Sequence, residues 1–226
     1  MNKSAPMEYE KAIEYIDQMI RDGELVTGSR LPTERTISEH LGIGRNSTRE
    51  ALSILHGMGM IRRVQGSGNY VTGDAHRAIR QICTMMLALG TITKKDVCEF
   101  RRVLEKSACL LLSEKGVPAD ERRQFEEILA AMESADEKTL PALDCDFHTM
   151  LLRATGNSLM VTVLDAIAEV YQKWIDIVIR KTGEDEKNRL QAYHKGIYTS
   201  LSEADTDLAL RFVDDHYDLI EEMLEL

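Results

Sequence analysis

The residues with the clearest capacity for chemistry are an aspartate and three histidines in the second half of the chain. Asp144 and His148 are four residues apart in a predicted helix, so a carboxylate and an imidazole share one face, one turn apart. Such a pair can ligate one metal ion, although the same spacing also occurs in ordinary pairs on a helix surface. His194 and His216 lie on later predicted helices, each among apolar neighbours. Buried histidines need polar partners, so the residues alone leave both a shared metal site and structural histidines open.

A second group of chemically capable residues stands at the start of a predicted helix from about residue 46 to 56. Arg45 and Arg49 lie at its N-terminal end. A shorter predicted helix precedes it, opened by Thr33 and ended by Gly42, which can take the left-handed conformation of a helix stop. Two helices in this order are typical of a helix-turn-helix, whose second helix contacts DNA bases with its N-terminal residues.

The elements around these helices complete the prediction of a winged helix-turn-helix. Strands are predicted at residues 60–64 and 69–72, and the tip between them contains Gly66, which permits a tight hairpin turn. An amphipathic helix is predicted at residues 7–22, packed behind the helix-turn-helix. The pattern continues without a break through residues 31–71, which favours this interpretation over a small helical domain with an unrelated hairpin.

Beyond residue 73 every apolar pattern is helical, so the predicted fold class is mostly α. We predict two domains: a winged helix-turn-helix at residues 7–73 and an all-α antiparallel helical bundle at residues 75–226. The predicted helices of the second domain cover residues 75–89, 94–115, 118–134, 136–154, 158–181, 184–202 and 205–225. The predicted core stripe of this domain comprises Leu110, Leu111, Met132, Leu151, Leu164, Ile167, Val170 and Ile177.

Charge is distributed unevenly along the chain. The net charge is −10 over 226 residues, yet residues 30–72 carry six Arg against three Glu, or +3, which leaves −13 for the remainder. A small basic module on an acidic body can still attract DNA phosphates when the body faces away from the duplex.

Composition also bounds where the protein works. The four cysteines have no paired spacing, which indicates free thiols in a reducing compartment and no thiolate metal site. No apolar run approaches the roughly 20 residues of a membrane span, and the N-terminal residues show no signal-peptide core. We therefore expect a cytoplasmic protein with no membrane partner.

The motifs of the first domain resemble the DNA-binding domain of the GntR family of bacterial transcription regulators. The matching runs are GSRLPTER at residues 28–35, LGIGRNSTREAL at 41–52 and LxxMGMIRRxxGSGxYV at 55–71. Gly44 departs from the family, which commonly has Ser there as the cap of the recognition helix, and Thr48 replaces the usual Val. The predicted DNA-binding residues are Arg35, Arg45, Asn46, Ser47, Arg49, Gln65, Gly66 and Ser67.

The second domain resembles the ligand-sensing domain of the FadR branch of this family. The resemblance rests on the Asp144-to-His148 motif with the LLRATGN run after it, on His194, on His216 and on the EFRRVLE run at residues 99–105. In metal-containing members one Asp and three His bind a divalent ion, which implies Asp144, His148, His194 and His216 as ligands here. The family also implies that Arg101 reaches a carboxylate effector. From the residues alone, Arg101 equally suits a surface salt bridge to Glu105.

The resemblance implies a transcription regulator that binds a palindromic DNA operator as a homodimer, with repression the commoner behaviour in the family. We expect it to sense a small carboxylate through one divalent ion per chain. An Asp/His₃ set suits Zn²⁺ best, with Ni²⁺ or Mn²⁺ as alternatives. Two other hypotheses are the same regulator with a purely structural metal, and a metal-dependent hydrolase with a DNA-binding domain. No HExxH-like motif supplies the general base that a hydrolase needs.

Overall fold

Alternation of short amphipathic helices with glycine stops sets the architecture of the first part of the chain. The computed structural model describes residues 7–181 and 183–225, except for the side chains of residues 169, 173 and 175–181. The chain divides into two units between Ile79 and Arg80. The first unit contains helices α1 (Glu8–Arg21), α2 (Glu34–Leu41) and α3 (Arg45–Gly57) and strands β1 (Ile61–Val64) and β2 (Gly68–Val71).

The helix-turn-helix forms where the sequence predicts it. The Thr33 side chain accepts a hydrogen bond from the Thr36 backbone at the start of α2, and Gly42 ends that helix with φ of 64°. Ile37 and Leu52 are fully buried in the core that α1, α2, α3 and the hairpin share. This core holds α3 in place through its buried face, and the other face of α3 is exposed to solvent.

The wing is a two-stranded antiparallel hairpin. Ile61 pairs with Val71 and Val64 with Gly68, and Gly66 at the tip has φ of 73°. A residue with a Cβ is strained at that φ, which explains the glycine. Ile61 and Val71 bury their side chains in the unit's core, so the wing is attached to the helices through its base.

The second unit is an all-α bundle, and the predicted mostly-α fold class is confirmed. The bounds of its helices are α4 (His76–Ala88), α5 (Lys94–Lys115), α6 (Ala119–Glu133), α7 (Leu140–Arg153), α8 (Ser158–Lys181), α9 (Glu184–Ser202) and α10 (Thr206–Leu224). Helix α10 packs along α9 and α5, and α7 packs against α8 and α6. This arrangement brings α5, α7, α9 and α10 together around one buried interior.

Two details of the bundle differ from the sequence prediction. Helix α7 begins at Leu140, not at Asp136, because the Asp136 carboxylate accepts hydrogen bonds from the backbone of Lys138 and Thr139 and so forms a turn. Leu110, predicted as core, is 47% exposed. It lies on a face of α5 that no other described element covers. Ile177 of the predicted core lies outside the residues whose side chains are described.

No helix among the described residues is long and apolar enough to span a membrane. All four cysteines are free thiols, as their spacing predicts.

Candidate metal centre and nucleic-acid interface

The bundle brings the four predicted metal ligands into one buried cluster. Asp144 and His148 project from α7, His194 from α9 and His216 from α10. Each residue offers a ligand atom, and these atoms all lie within 4.8 Å of one another. The exposed fraction is 6% for Asp144 and at most 1% for each histidine. Residues that are 72 positions apart in the sequence therefore converge on one point.

The distances within the cluster show that its polar atoms face one another. Asp144 Oδ1 lies 3.3 Å from His194 Nε2 and 3.7 Å from His148 Nε2. The two Nε2 atoms of His148 and His194 are 3.3 Å apart. The ring of His216 stands 4.7 Å from that of His194 and 4.9 Å from that of His148, centroid to centroid.

A buried carboxylate orients one of the histidines from behind. Glu105 on α5 is fully buried, and its Oε2 lies 2.7 Å from His148 Nδ1. Its other oxygen accepts a hydrogen bond from the Tyr217 hydroxyl. Because Nδ1 is engaged by Glu105, Nε2 is the ring nitrogen that His148 presents to the cluster.

The unsatisfied atoms of the cluster test whether a metal ion fits there. Asp144 Oδ2, His194 Nδ1 and both ring nitrogens of His216 are buried and have no hydrogen-bond partner among the described residues. Buried polar atoms in this condition cost about 1–3 kcal/mol each. A cation bound by one carboxylate oxygen and three imidazole nitrogens would give Asp144 and His216 the partner they lack. The residues present therefore fit a divalent ion that accepts nitrogen and oxygen ligands.

The protonation states in the cluster suit the same role. Burial lowers the pKa of His194, and it lowers that of His216 well below the usual value, so both rings are neutral. Burial alone would also lower the pKa of His148, but Glu105 and Asp144 outweigh it and raise that pKa to about 9. Burial favours the neutral acid of Asp144, yet His148 and His194 hold its pKa well below the usual range. A carboxylate and neutral imidazoles are the forms that bind metals, so only His148 has a proton to release.

Arg101 lies in the same interior, on α5 one turn before Glu105. Its side chain is 3% exposed, and the guanidinium carbon lies 3.7 Å from the centroid of the Tyr171 ring. Its Nη2 is 3.5 Å from Glu105 Oε1, so the salt bridge that the spacing allows is present but is buried rather than on the surface. Arg101 Nε and Nη2 and the Tyr171 hydroxyl make no hydrogen bond within the described part of the chain.

Sequence reasoning missed the role of Glu105 and Tyr217 in this site. Glu105 was weighed only as a salt-bridge partner of Arg101, although its place in the EFRRVLE run puts it on the same helix face. Tyr217 follows His216 directly, and no local signal distinguishes it from a core aromatic residue.

In the first unit, the N-terminal end of α3 carries the predicted base contacts. The side chains of Arg45 and Asn46 are exposed there, and that of Ser47 is half-buried. Arg35 on α2 is also exposed. Thr48, whose hydroxyl had no evident role in the sequence, is fully buried, and its hydroxyl donates to the Gly44 carbonyl at 3.4 Å.

Arg49 is already engaged in the free protein. Its Nη2 donates to Glu34 Oε2 at 2.9 Å, and its Nε lies within 3.4 Å of both Glu34 oxygens. Such a two-point contact holds the guanidinium in one orientation. The Arg49 side chain is nevertheless 60% exposed.

The wing supplies a second basic surface. Gln65 and Gly66 are exposed at its tip, and the Ser67 hydroxyl lies 2.6 Å from that of Tyr70. Arg62 and Arg63 on β1 are both exposed and were not among the predicted DNA contacts, although the MIRR run shows them in the sequence. The Arg62 guanidinium stands over the Tyr70 ring at 5.3 Å.

Two family models match the chain, one over each predicted domain. Residues 8–71 match "Bacterial regulatory proteins, gntR family", and residues 96–219 match the FCD domain. Together the two matches cover the helix-turn-helix with its wing and all four residues of the buried cluster.

Several curated proteins are similar over most of their length. The Glc operon transcriptional activator of Escherichia coli is 27% identical over 215 residues, which is 92% of this chain and 85% of that protein. The regulator LutR of Bacillus subtilis is 29% identical over 194 residues, 81% of this chain and 86% of its own. The repressor NanR of an Enterobacter strain is 26% identical over 220 residues, 90% and 80% of the two chains. A solved GntR structure from Streptococcus agalactiae, 23% identical, shares the fold with a TM-score of 0.69 over 95% of this chain and 99% of that one.

Proposed function

The chain belongs to the gntR family of bacterial regulatory proteins and carries an FCD domain, and from this premise we propose a metal-dependent sensor of a small organic acid that controls transcription. We assign DNA binding to residues 7–73, and effector sensing and dimerisation to residues 75–226. We place the protein in the bacterial cytoplasm, where its DNA is. The observation that carries the proposal is the buried Asp/His₃ cluster with Arg101 in the same interior.

The metal half of the proposal rests on the chemistry of the donor set. The FCD family is associated with metal binding. Asp144, His148, His194 and His216 would hold one divalent ion per chain, with Zn²⁺ preferred and Ni²⁺ or Mn²⁺ as alternatives. Such an ion supplies a fixed positive charge that attracts ligand oxygens. Glu105 keeps His148 oriented for it through the hydrogen bond to Nδ1.

The effector half rests on Arg101. The Arg101 guanidinium is 3% exposed, and beyond the 3.5 Å ion pair with Glu105 its Nε and Nη2 make no hydrogen bond within the described part of the chain. A ligand carboxylate matches the geometry of these two donors. The Tyr171 hydroxyl beside it also has no hydrogen-bond partner among the residues that the structure describes. Arg101 and the metal would thus bind the negative oxygens of one small acid between them.

Among the described residues, a small cavity lies beside Asp144 and His194. The described cavity beside Asp144 and His194 has about 20 Å³, which is space for about one water molecule. That cavity is too small for an organic acid, so binding there requires side chains or helices of the bundle to move. A ligand that binds only the opened state shifts the protein towards it, which is the basis of a sensor.

The test is a thermal-shift screen of organic acids on protein loaded with Zn²⁺. An acid at about 100 times its dissociation constant adds about 2.7 kcal/mol to the free energy of unfolding. Uncharged analogues, such as the corresponding amides, serve as matched control ligands. Stabilisation by acids supports the sensor. Stabilisation by Zn²⁺ alone, with no response to any acid, favours a purely structural metal.

We propose that the protein acts as a homodimer on a palindromic operator, because two-fold symmetry lets two small modules read two half-sites. An apolar face of the bundle supports a second copy as the partner. On α5, Phe100, Val103 and Leu110 are 42%, 65% and 47% exposed at helical spacing. On α4, Ile82 and Met85 are 57% and 56% exposed.

Sedimentation measurements test the dimer and its interface together. Val103→Glu places a charge in the exposed stripe and should give monomers, whereas Val26→Glu, at a 60% exposed site in the DNA-binding unit, should not. A wild-type chain that is monomeric both free and on DNA contradicts the dimer. We also propose repression as the direction of control, as in the similar repressor NanR, although the Glc operon relative is an activator. A reporter whose expression rises on deletion of the gene tests it.

A further inference from the structure

An unexpected contact joins the start of α1 to the start of the recognition helix α3. Glu8 is the first residue of α1, and its Oε2 accepts hydrogen bonds from the Gly44 backbone N–H at 3.1 Å and from the Ser47 hydroxyl at 2.8 Å. The partners are 36 and 39 residues away in the sequence. Nothing in the sequence motifs of the first unit indicates this contact.

The contact compensates for a missing side chain. Gly44 is the N-cap of α3 and has no side chain with which to cap it. Glu8 supplies a carboxylate from another helix instead, and a negative charge is favourable at the positive end of a helix. The hydrogen bond from Ser47, followed by that from Gly44, lowers the pKa of Glu8, so the group is a carboxylate at neutral pH.

The two donors that Glu8 occupies are of the kind that bind DNA phosphates. Backbone N–H groups at a helix N-terminus and serine hydroxyls are common phosphate contacts. Arg45, the first residue of the same helix, is exposed beside them. A phosphate that approaches this end of α3 therefore meets donors already held by a carboxylate, and it also meets the repulsion of that charge.

We propose that Glu8 is a built-in competitor of DNA phosphate: it holds the Gly44 N–H and the Ser47 hydroxyl in the free protein and yields them when the duplex binds. Glu8 is on the surface, so its side chain can turn away into solvent at little cost. The competition weakens binding to every DNA sequence by the same factor, which limits occupation of random sites. The inference rests on the proposed DNA-binding function and adds a residue that sets affinity and salt dependence.

The test compares the binding of a fluorescent duplex of random sequence to the wild-type dimer and to variants, by anisotropy over a series of salt concentrations. Glu8→Gln removes the charge but keeps an oxygen that can cap α3. It should bind about fivefold more tightly than the wild type. Its plot of log affinity against log salt should steepen by about 0.9 for each phosphate gained.

Two controls separate competition from a general charge effect. Glu14→Gln removes the same charge from the same helix, but Glu14 lines a groove with Leu55 and Met58, near the other end of α3. It should give a smaller gain and an unchanged salt slope. In the Ser47→Ala background the gain from Glu8→Gln should shrink, because one of the contested donors is gone.

Each possible result supports or overturns the role of Glu8. If Glu8→Gln binds no more tightly than Glu14→Gln, or more weakly than the wild type, Glu8 is only a helix cap and the inference is overturned. If no variant binds any duplex, the DNA-binding function fails and the inference fails with it. Thermal unfolding confirms that each variant is folded. Glu8→Ala, which removes the charge and the acceptor together, must also bind more tightly.

Discussion

Replacement of His216 by leucine tests whether this residue is a metal ligand or a structural histidine. Both ring nitrogens of His216 are buried and have no hydrogen-bond partner among the described residues. If His216 had only a structural role, its unsatisfied ring nitrogens would lower the free energy of unfolding by about 1–3 kcal/mol per buried group, with no compensating interaction. Leucine is of similar size and apolar, so His216→Leu without metal should unfold at the wild-type temperature or above it.

In the presence of Zn²⁺, by contrast, the wild type should be stabilised much more than His216→Leu. At a free Zn²⁺ concentration of about 100 times the dissociation constant, the wild type gains about 2.7 kcal/mol. For a chain of this size that corresponds to about 5–10 °C in melting temperature. Loss even of a residue that only supports a ligand weakens metal binding by about 10–100-fold. A 100-fold loss on removal of His216 leaves a gain of about 0.4 kcal/mol at the same Zn²⁺ concentration, or about 1 °C.

The assay is thermal unfolding of chelator-treated protein, with and without buffered Zn²⁺. His40→Leu is the matched control, because His40 is exposed in the DNA-binding unit and should keep the full shift. A full Zn²⁺-induced shift in His216→Leu would refute the assignment of His216 as a ligand. A wild-type protein that does not respond to Zn²⁺, Ni²⁺ or Mn²⁺ would refute the metal site as a whole.

Other substitutions test the remaining parts of the proposal. His148→Ala should lower both metal content and melting temperature while DNA binding largely persists; a full complement of metal in elemental analysis would contradict it. Arg101→Ala should keep the metal but lose the thermal response to acids, and an unchanged response would remove Arg101 from the effector site. Arg45→Ala and Arg49→Ala should each lose about 1–3 kcal/mol of discrimination between operator and random DNA while the fold is kept. Unchanged footprints would exclude both as base contacts. Gly66→Val should weaken binding to all sequences equally, since valine is strained at the φ of 73° and should distort the wing tip, although there is open space around the position; a loss confined to the operator would contradict this.

Local signals were sufficient for most of the fold. Helix periodicity and glycine stops placed α2 and α3 within a residue or two, because Thr33 and Gly42 act on the backbone next to them. The error at the start of α7 has the same local origin: the sequence pattern predicts Asp136 as helical, but its carboxylate accepts hydrogen bonds from the backbone N–H groups of Lys138 and Thr139. The prediction of Leu110 as a core residue is wrong for another reason. Periodicity identifies an apolar face but does not say whether another element covers it.

The site was predictable only in part, because its residues act across the bundle. The spacing of Asp144 and His148 places both on one helix face, and His194 and His216 are candidates from their apolar neighbours. The family resemblance then implies that all four bind one metal ion. The contact between Glu105 and His148 spans 43 residues and has no sequence signature of its own. The contact between Glu8 and Ser47 also has no sequence signature, because a carboxylate from α1 caps the start of α3 in place of a side chain at Gly44.

Glu105 is the residue through which metal and effector would influence each other. Its carboxylate contacts His148, the Arg101 guanidinium and the Tyr217 hydroxyl at once. An anion that draws Arg101 towards itself takes that cation from Glu105, and the carboxylate can then interact more strongly with His148. In the proposed site, the orientation and basicity of His148 would thus depend on whether the effector is bound. By linkage, the metal would then change effector affinity by the same factor as the effector changes metal affinity. In the proposed regulator, Glu105 would therefore influence how strongly binding of the acid and binding of the metal affect each other.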